Sequence, residues 1–390
     1  VTTSDPTTVT PSSLEELRDA VLDRPGPIRV AGAGTAHDWA GTPAPAGTVL
    51  STTGLSGIVT HNPGDMTAEV WAGTPFAQLQ ARLGEHHQRI AADPAREADG
   101  ATLGGLFATA DSGPRSLQYG SLRDVVIGAT IVLADGTVAR SGGHVIKNVA
   151  GYDLTKLLHG AHGTLGVLAA LVLRLHPTPQ VTATVAVPCD RAAMTDLARR
   201  VADSPVEAAA VAWHDGRLLA LVEGSERGAE ARARRLVETL GDEAGLLAPD
   251  DATAAWEAHD AAVRARPDDR AVLRFGVIPG SLSGVLDGLD TDTGGLTEVT
   301  ASPRTGIATV ALPADADVVA AAHRRVADAH GTSTLRQRPP GADLPAFGPA
   351  PASAALLRQV AASVDPDQRF GRGRLAPWLP LPSTTVGATA

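Results

Sequence analysis

Ile146-Lys147-Asn148-Val149-Ala150-Gly151-Tyr152-Asp153-Leu154-Thr155-Lys156 concentrates side chains that the rest of the chain avoids. Of 33 basic residues only Lys147 and Lys156 are lysine, and Asn148 and Tyr152 are each one of only two of their kind. A solvated helix start capped by Asp153 accounts for the segment in a plain way, so its weight depends on what surrounds it. Downstream, Gly160-Ala161-His162-Gly163-Thr164-Leu165-Gly166 leads into an apolar run, Leu165 to Leu175, that reads as a buried strand ending before Pro177. Upstream, Gly100-Ala101-Thr102-Leu103-Gly104-Gly105 lets backbone approach closely, either to a ligand or to a packed neighbour. Farther upstream a short predicted strand, Ile28 to Ala31, runs into Gly32-Ala33-Gly34-Thr35, whose amides can form an anion-binding nest. The third glycine of a dinucleotide fingerprint would fall on His37, and no long helix follows, so this is not a Rossmann turn. Three glycine-rich turns in one half of a chain point to one extended ligand.

Composition narrows the class. A length of 390 residues allows two or three domains, and 43% hydrophobic residues with mean hydropathy +0.02 supply a large core. The formal charge of −10 and the lack of any Lys/Arg-rich run leave nothing to neutralise a phosphate backbone, which argues against nucleic acid. No apolar stretch is long enough to span a bilayer, and Val1 to Pro11 has no cationic start followed by an apolar run. The expectation is a cytoplasmic protein. The single cysteine, Cys189, excludes cysteine-built zinc sites and iron–sulfur clusters on this chain. Any electrons must be carried by another cofactor.

Ser13 and Glu16 form a capping box ahead of a helix at Leu14 to Leu22, and Asp135-Gly136 marks a hairpin between strands at 125–133 and 137–140. Pro177-Thr178-Pro179 reads as a domain boundary. Beyond it a β-α-β-β-α order repeats: strand 181–187, helix 190–203, strands 207–213 and 217–222, helix 226–240, then strand 271–278, helix 281–289, strands near 296–300 and 306–312, helix 316–330. Two such units make an antiparallel sheet with helices on one face, a ferredoxin-like α+β layer. Strand 296–300 is poorly patterned. Residues 338–350 read as a linker before a final helix at 351–363.

Four motifs in order resemble the FAD-binding domain of the vanillyl-alcohol-oxidase, or PCMH-type, flavoproteins. They are Gly100 to Gly105, Tyr119-Gly120-Ser121-Leu122-Arg123-Asp124, Lys147 to Leu154 and Gly163-Thr164-Leu165-Gly166-Val167. Within that superfamily the Lys147 to Leu154 string resembles the E subunit of bacterial glycolate oxidase. The resemblance implies an α+β fold with a PCMH-type FAD domain at 1–178, in subdomains of about 10–95 and 96–178. A ferredoxin-like cap at 179–340 and a C-terminal linker, helix and tail at 341–390 would follow. The implied cofactor contacts are Gly32, Ala33, Gly34, Thr35, Ala36, Thr102, Leu103, Gly104, Gly105, Gly113, Leu122, Asp124, Tyr152, Gly163 and Val167. Thr35 stands where some relatives tether FAD through histidine, so non-covalent FAD is expected. Lys147 is expected near flavin N1 and C2=O, with an ion pair to Asp153 as the structural alternative.

A 2-hydroxy acid needs a cation for its carboxylate and a base for its hydroxyl. Arg274, in Leu273-Arg274-Phe275-Gly276, is the expected carboxylate clamp, because its strand should face the flavin. The histidine-rich metal motif of D-lactate-type relatives is missing: His214, His259, His323 and His330 are scattered singly, and no metal is expected. Phe370-Gly371-Arg372-Gly373-Arg374 stands where relatives carry Phe-Asn-Pro-Gly-Arg, and the loss of the Asn weighs against an active-site role for the tail. The leading reading is a flavin subunit of a 2-hydroxy-acid oxidising complex, with a second flavin subunit and an iron–sulfur partner, peripheral to the membrane through that complex. The alternatives are a stand-alone alcohol or sugar dehydrogenase or oxidase, and a non-catalytic FAD-binding scaffold.

Overall fold

The computed structural model describes residues 5–145 and 152–381. In the N-terminal half, a parallel three-stranded sheet pairs Thr7–Val9 and Ile28–Ala31 on either side of Thr48–Ser51. Ile28–Ala31 is the strand the sequence predicts, whereas Thr7–Val9 and Thr48–Ser51 are not legible from periodicity, since three- and four-residue strands hold too few side chains to show one. A five-stranded antiparallel sheet follows in the order Ile58–Asn62, Thr67–Trp71, Val167–Arg174, Val126–Val132, Val138–Gly142. Its centre is the apolar run singled out in the sequence. Val167–Arg174 is buried at every position but the last, and it feeds two cores because a register shift opposite Ala169, between Thr130 and Ile131, switches the face that its odd-numbered residues take. Leu171 and Leu173 join Phe76, Leu79 and Phe107, while Val167 and Ala169 join Leu17, Val21 and Leu50. Strands from both sides of residue 95 share this sheet, so the expected subdomain division near that residue does not follow the strand pairing.

After Pro179 the chain builds a separate eight-stranded sheet in the order Gly245–Leu246, Val181–Pro188, Arg217–Gly224, Ala210–His214, Thr297–Ser302, Ile307–Pro313, Arg270–Gly276, Thr332–Gln337. Numbered within each repeat, this is 4-1-3-2 followed by 2-3-1-4: two ferredoxin-like units joined through their second strands, Ala210–His214 against Thr297–Ser302. Helices Arg191–Asp203, Glu226–Leu240, Leu282–Thr293 and Ala316–Asp328 bury their apolar stripes with one face of the sheet. The poor pattern near 296–300 has a physical cause. Register shifts between Thr297 and Thr300, and Glu298 has φ +50°, so a bulge breaks the two-residue alternation. An additional helix, Pro249–Arg264, is not part of the repeat; Trp256 packs against Ala210 and Leu221 on the other face. That face also meets the N-terminal half. The final helix, Ala354–Val364, leads into a tail that returns to the first sheet, where Phe370 bridges Ile28.

Candidate functional site

Strand Ile28–Ala31 ends at Gly32, and the chain turns back with the His37 amide donating to the Gly34 carbonyl at 3.3 Å. Gly34 has φ +78°, the left-handed region where a side chain is strained. The facing wall is helix Leu103–Ala108, capped by Thr102, whose hydroxyl accepts the Gly105 amide at 3.2 Å. The third wall is the turn at 160–166, stapled to that helix by Gly160 N donating to Phe107 O (3.2 Å) and His162 N to Ala108 O (2.8 Å). The three glycine turns therefore converge on one cleft of about 960 Å³, its open mouth included. Six of its 25 lining residues are glycine and six alanine, so its surface is largely backbone. Among the described residues two arginines, Arg96 and Arg374, line it, and no carboxylate does. His162 beside them stays neutral: burial first, then Arg374 and Arg336, push its pKa down to about 3.

Next to the cleft the Trp39 ring lies between two guanidinium groups, Arg336 at 3.6 Å and Arg96 at 4.5 Å from the ring centre. Arg336 comes from the eight-stranded sheet and pairs with Asp111 at 2.8 Å, both side chains buried. Burial lowers Arg336 to about 9 and Arg96 to about 10. Trp39 Nε1 and one Asp111 oxygen are buried without a hydrogen-bond partner.

A second, smaller cavity backs onto the cleft. Ala95 lines it while the neighbouring Arg96 lines the cleft, and Ser112 and Gly113 line it while Ala108 and Thr109 line the cleft. Its space, mouth included, is about 300 Å³. Arg274 enters it from strand Arg270–Gly276, donating to Ser112 O at 2.7 Å and Thr309 Oγ1 at 3.3 Å. Burial lowers the Arg274 pKa. Among the described residues no carboxylate stands within ion-pair distance of it; Asp111 and Asp93 act on it from farther away. His259 lines the same cavity, its Nδ1 3.0 Å from Asp260 Oδ1.

Of the expected cofactor contacts, Gly32, Ala33, Gly34, Thr35, Ala36, Thr102, Gly104, Gly105 and Gly163 line the cleft. Six others do not. Leu103, Leu122 and Val167 send fully buried apolar side chains into the core, and Asp124 completes a capping box with Ser121 instead. Gly113 lines the second cavity, where a Cβ would sit 2.0 Å from Asp93 O, and Tyr152 is 93% exposed. Gly104 serves packing as well as the cleft, since a Cβ there would come within 2.8 Å of Ala72 Cβ. Lys147 lies outside the described residues; Asp153, its alternative partner, pairs with Lys156 at 3.7 Å. The sequence reading missed Arg96, His162 and Arg374. His162 sits inside a motif already singled out, and Arg374 inside the discounted tail, but nothing in the sequence around Arg96 marks it. No helix among the described residues is long and apolar enough to cross a membrane.

The fold and this cleft are those of an FAD-binding domain, and FAD is its cofactor. Residues 6–142 match the family described as FAD binding domain. The chain is 32% identical over 225 residues to glycolate oxidase subunit GlcE of Escherichia coli (strain K12), a match covering 57% of this chain and 63% of that one. It is 34% identical over 184 residues to a D-lactate dehydrogenase of Archaeoglobus fulgidus, covering 46% and 41%. The chain thus spans less than two thirds of either relative. A solved alkyldihydroxyacetonephosphate synthase shares the fold with TM-score 0.66 at 16% identity, over 93% of this chain and 75% of that one. The cleft suits FAD on its own terms: backbone-lined walls admit a large planar ligand, and two arginines with no carboxylate suit a doubly charged pyrophosphate.

Proposed function

We propose that this chain is the FAD-binding subunit of an enzyme that oxidises a 2-hydroxy acid such as glycolate or lactate. The observation that carries the reading is Arg274, a buried cation without an anionic partner, in a cavity one turn of chain away from the FAD cleft. A buried charge is costly unless paired, and a substrate carboxylate completes the pair with bidentate geometry. When bound, FAD would supply the acceptor for the α-hydrogen and its electron pair. In the same cavity His259, oriented by Asp260, takes the hydroxyl proton as the carbonyl forms. Lys147 supports negative charge near flavin N1. The name of the Escherichia coli relative speaks of a subunit, and Cys189 is buried with its thiol pushed up to about 11, so this chain offers no cluster ligands. Electrons would leave through an iron–sulfur partner and a second flavin subunit, in a cytoplasmic complex peripheral to the membrane.

FAD is held without a covalent bond in this reading, because Thr35 offers no tethering nucleophile. Acid precipitation should leave the flavin in the supernatant; flavin in the pellet contradicts it. The function is tested by anaerobic mixing of the FAD-loaded chain with glycolate, D-lactate, L-lactate and a simple alcohol, alone and with co-purified partners. Bleaching by a 2-hydroxy acid in either setting supports the proposal. Bleaching by the alcohol alone, or by none in both settings, rejects it.

A further inference from the structure

The C-terminal tail delivers a cation to the FAD cleft by a built route. The Asp365 carboxylate accepts the amides of Arg369 and Phe370, each at 2.8 Å, and Ile28 N donates to Arg369 O at 2.7 Å. Phe370 is then buried in the core below the nest. Four residues on, Arg374 Nη1 donates to His37 O (2.6 Å) and Trp39 O (2.8 Å), the backbone that continues directly from Gly32–Thr35. The fit is tight: a Cβ on Gly41 would meet Gly373 O at 2.0 Å, and one on Gly373 would meet Thr42 O at 2.4 Å.

Arg374 is only 8% exposed, yet among the described residues it has no carboxylate within ion-pair distance. Burial, then Arg29, lowers it to about 10; Arg338 acts in the same sense and Asp38 opposes them. Asp38 is already paired with Arg266 at 3.5 Å and Asp343 acts on Arg338, so among the described residues Arg374 and Arg29 have no anion of their own. Arg29 and Arg374 share a small cavity with His162, and Arg29 Nε is buried without a partner. His162, held neutral, does not add to the charge.

We infer that Arg374, with Arg29 beside it, clamps the pyrophosphate of FAD against the Gly32–Thr35 backbone, so that the C-terminal tail is part of the cofactor site. The ligand chemistry follows from position and charge. The guanidinium is fixed to the nest's own loop, and a dianion balances the excess of two positive charges. Anchoring of Nη1 by two carbonyls leaves the remaining N–H groups for the phosphate oxygens, a charge-assisted contact.

The test compares wild type, Arg374→Gln, Arg374→Lys and the tail control Arg358→Gln. Each apoprotein is titrated with FAD, with ADP in competition and with riboflavin. Loss of such a contact should weaken both FAD and ADP by about 10- to 100-fold in Arg374→Gln. Arg374→Lys should fall between, and riboflavin affinity, apoprotein melting temperature and the midpoint potential of bound flavin should not change. Arg358→Gln, whose parent residue donates to Trp378 O away from the cleft, should match wild type. A lowered potential or weaker riboflavin with ADP unaffected would put the guanidinium at the flavin ring and overturn the inference. So would ADP failing to compete in wild type, or uniform loss with a lower melting temperature.

Discussion

Glu223 and Arg274 both cross the seam between the N-terminal half and the eight-stranded sheet, and their surroundings differ in kind. Glu223, on strand Arg217–Gly224, receives Arg89 at 3.0 Å, Arg115 at 2.9 Å and Tyr119 at 2.8 Å, all from the N-terminal half. Burial works against its charge, but those donors win and hold the carboxyl at about 2. At the other end Arg274 has, among the described residues, a carbonyl and a hydroxyl but no carboxylate within ion-pair distance. The first region is a completed network whose charges are satisfied within the chain. The second leaves a cation for something else to neutralise, and Arg374 repeats that pattern in the cleft. Buried charge alone therefore does not mark a site here; buried charge without its counterpart does.

The comparison breaks most visibly at its completed end. Glu223→Ala leaves Arg89 without its anion and Arg115 with only Asp93, 3.9 Å away, and should cost about 3–5 kcal/mol of stability. Urea denaturation of the apoprotein measures it, while FAD affinity under native conditions should stay close to wild type. A loss below about 1 kcal/mol would place this pair among weak surface bridges and undo the contrast.

A smaller effect probes the cleft. His162 is neutral in the fold with a pKa of about 3, whereas an unfolded histidine takes up a proton near 6.5. Between those values the unfolded chain binds more protons, so this group's contribution is present above pH ~6.5 and is lost as pH falls toward 3. Asp93 slopes the other way, since burial lifts it to about 7 and favours the fold at lower pH. The diagnostic is the difference between wild type and His162→Gln apoprotein: the variant should lose less stability on acidification, approaching about 1.4 kcal/mol per pH unit. Parallel curves would mean that His162 is not held neutral.

Smallest is the shift expected at Lys147. Lys147→Met should lower the flavin midpoint potential by some tens of millivolts, with about 30 mV corresponding to 1.4 kcal/mol for two electrons. Potentiometry at equal flavin occupancy reads it. An unchanged midpoint with a lower melting temperature assigns Lys147 to structure.

What could be read from the sequence follows the same division. The strands and helices after Pro179 repeat on a regular hydrophobic period, so Val181–Pro188 and Glu226–Leu240 were visible within a residue or so. The bulge at Thr297–Thr300 blurred one strand, and Pro249–Arg264 was missed because it lies outside the repeat. In the N-terminal half the glycine turns were legible since each needs a residue without a side chain. Arg96, Arg336 and Arg374 were not, because in a chain with 31 arginines nothing local tells a buried guanidinium from a surface one. Only the fold brings them together around Trp39 and His37.

The most direct test of the central claim is a glycolate titration of FAD-loaded wild type and Arg274→Met, followed anaerobically through the flavin spectrum, which shifts on binding and bleaches on reduction. If Arg274 awaits a carboxylate, the variant should keep its FAD and its apoprotein stability, while the glycolate concentration needed for the spectral change rises about 100-fold or more. An unchanged glycolate response accompanied by a clear loss of stability would show that Arg274 is a structural tie to Ser112 and contradict the account.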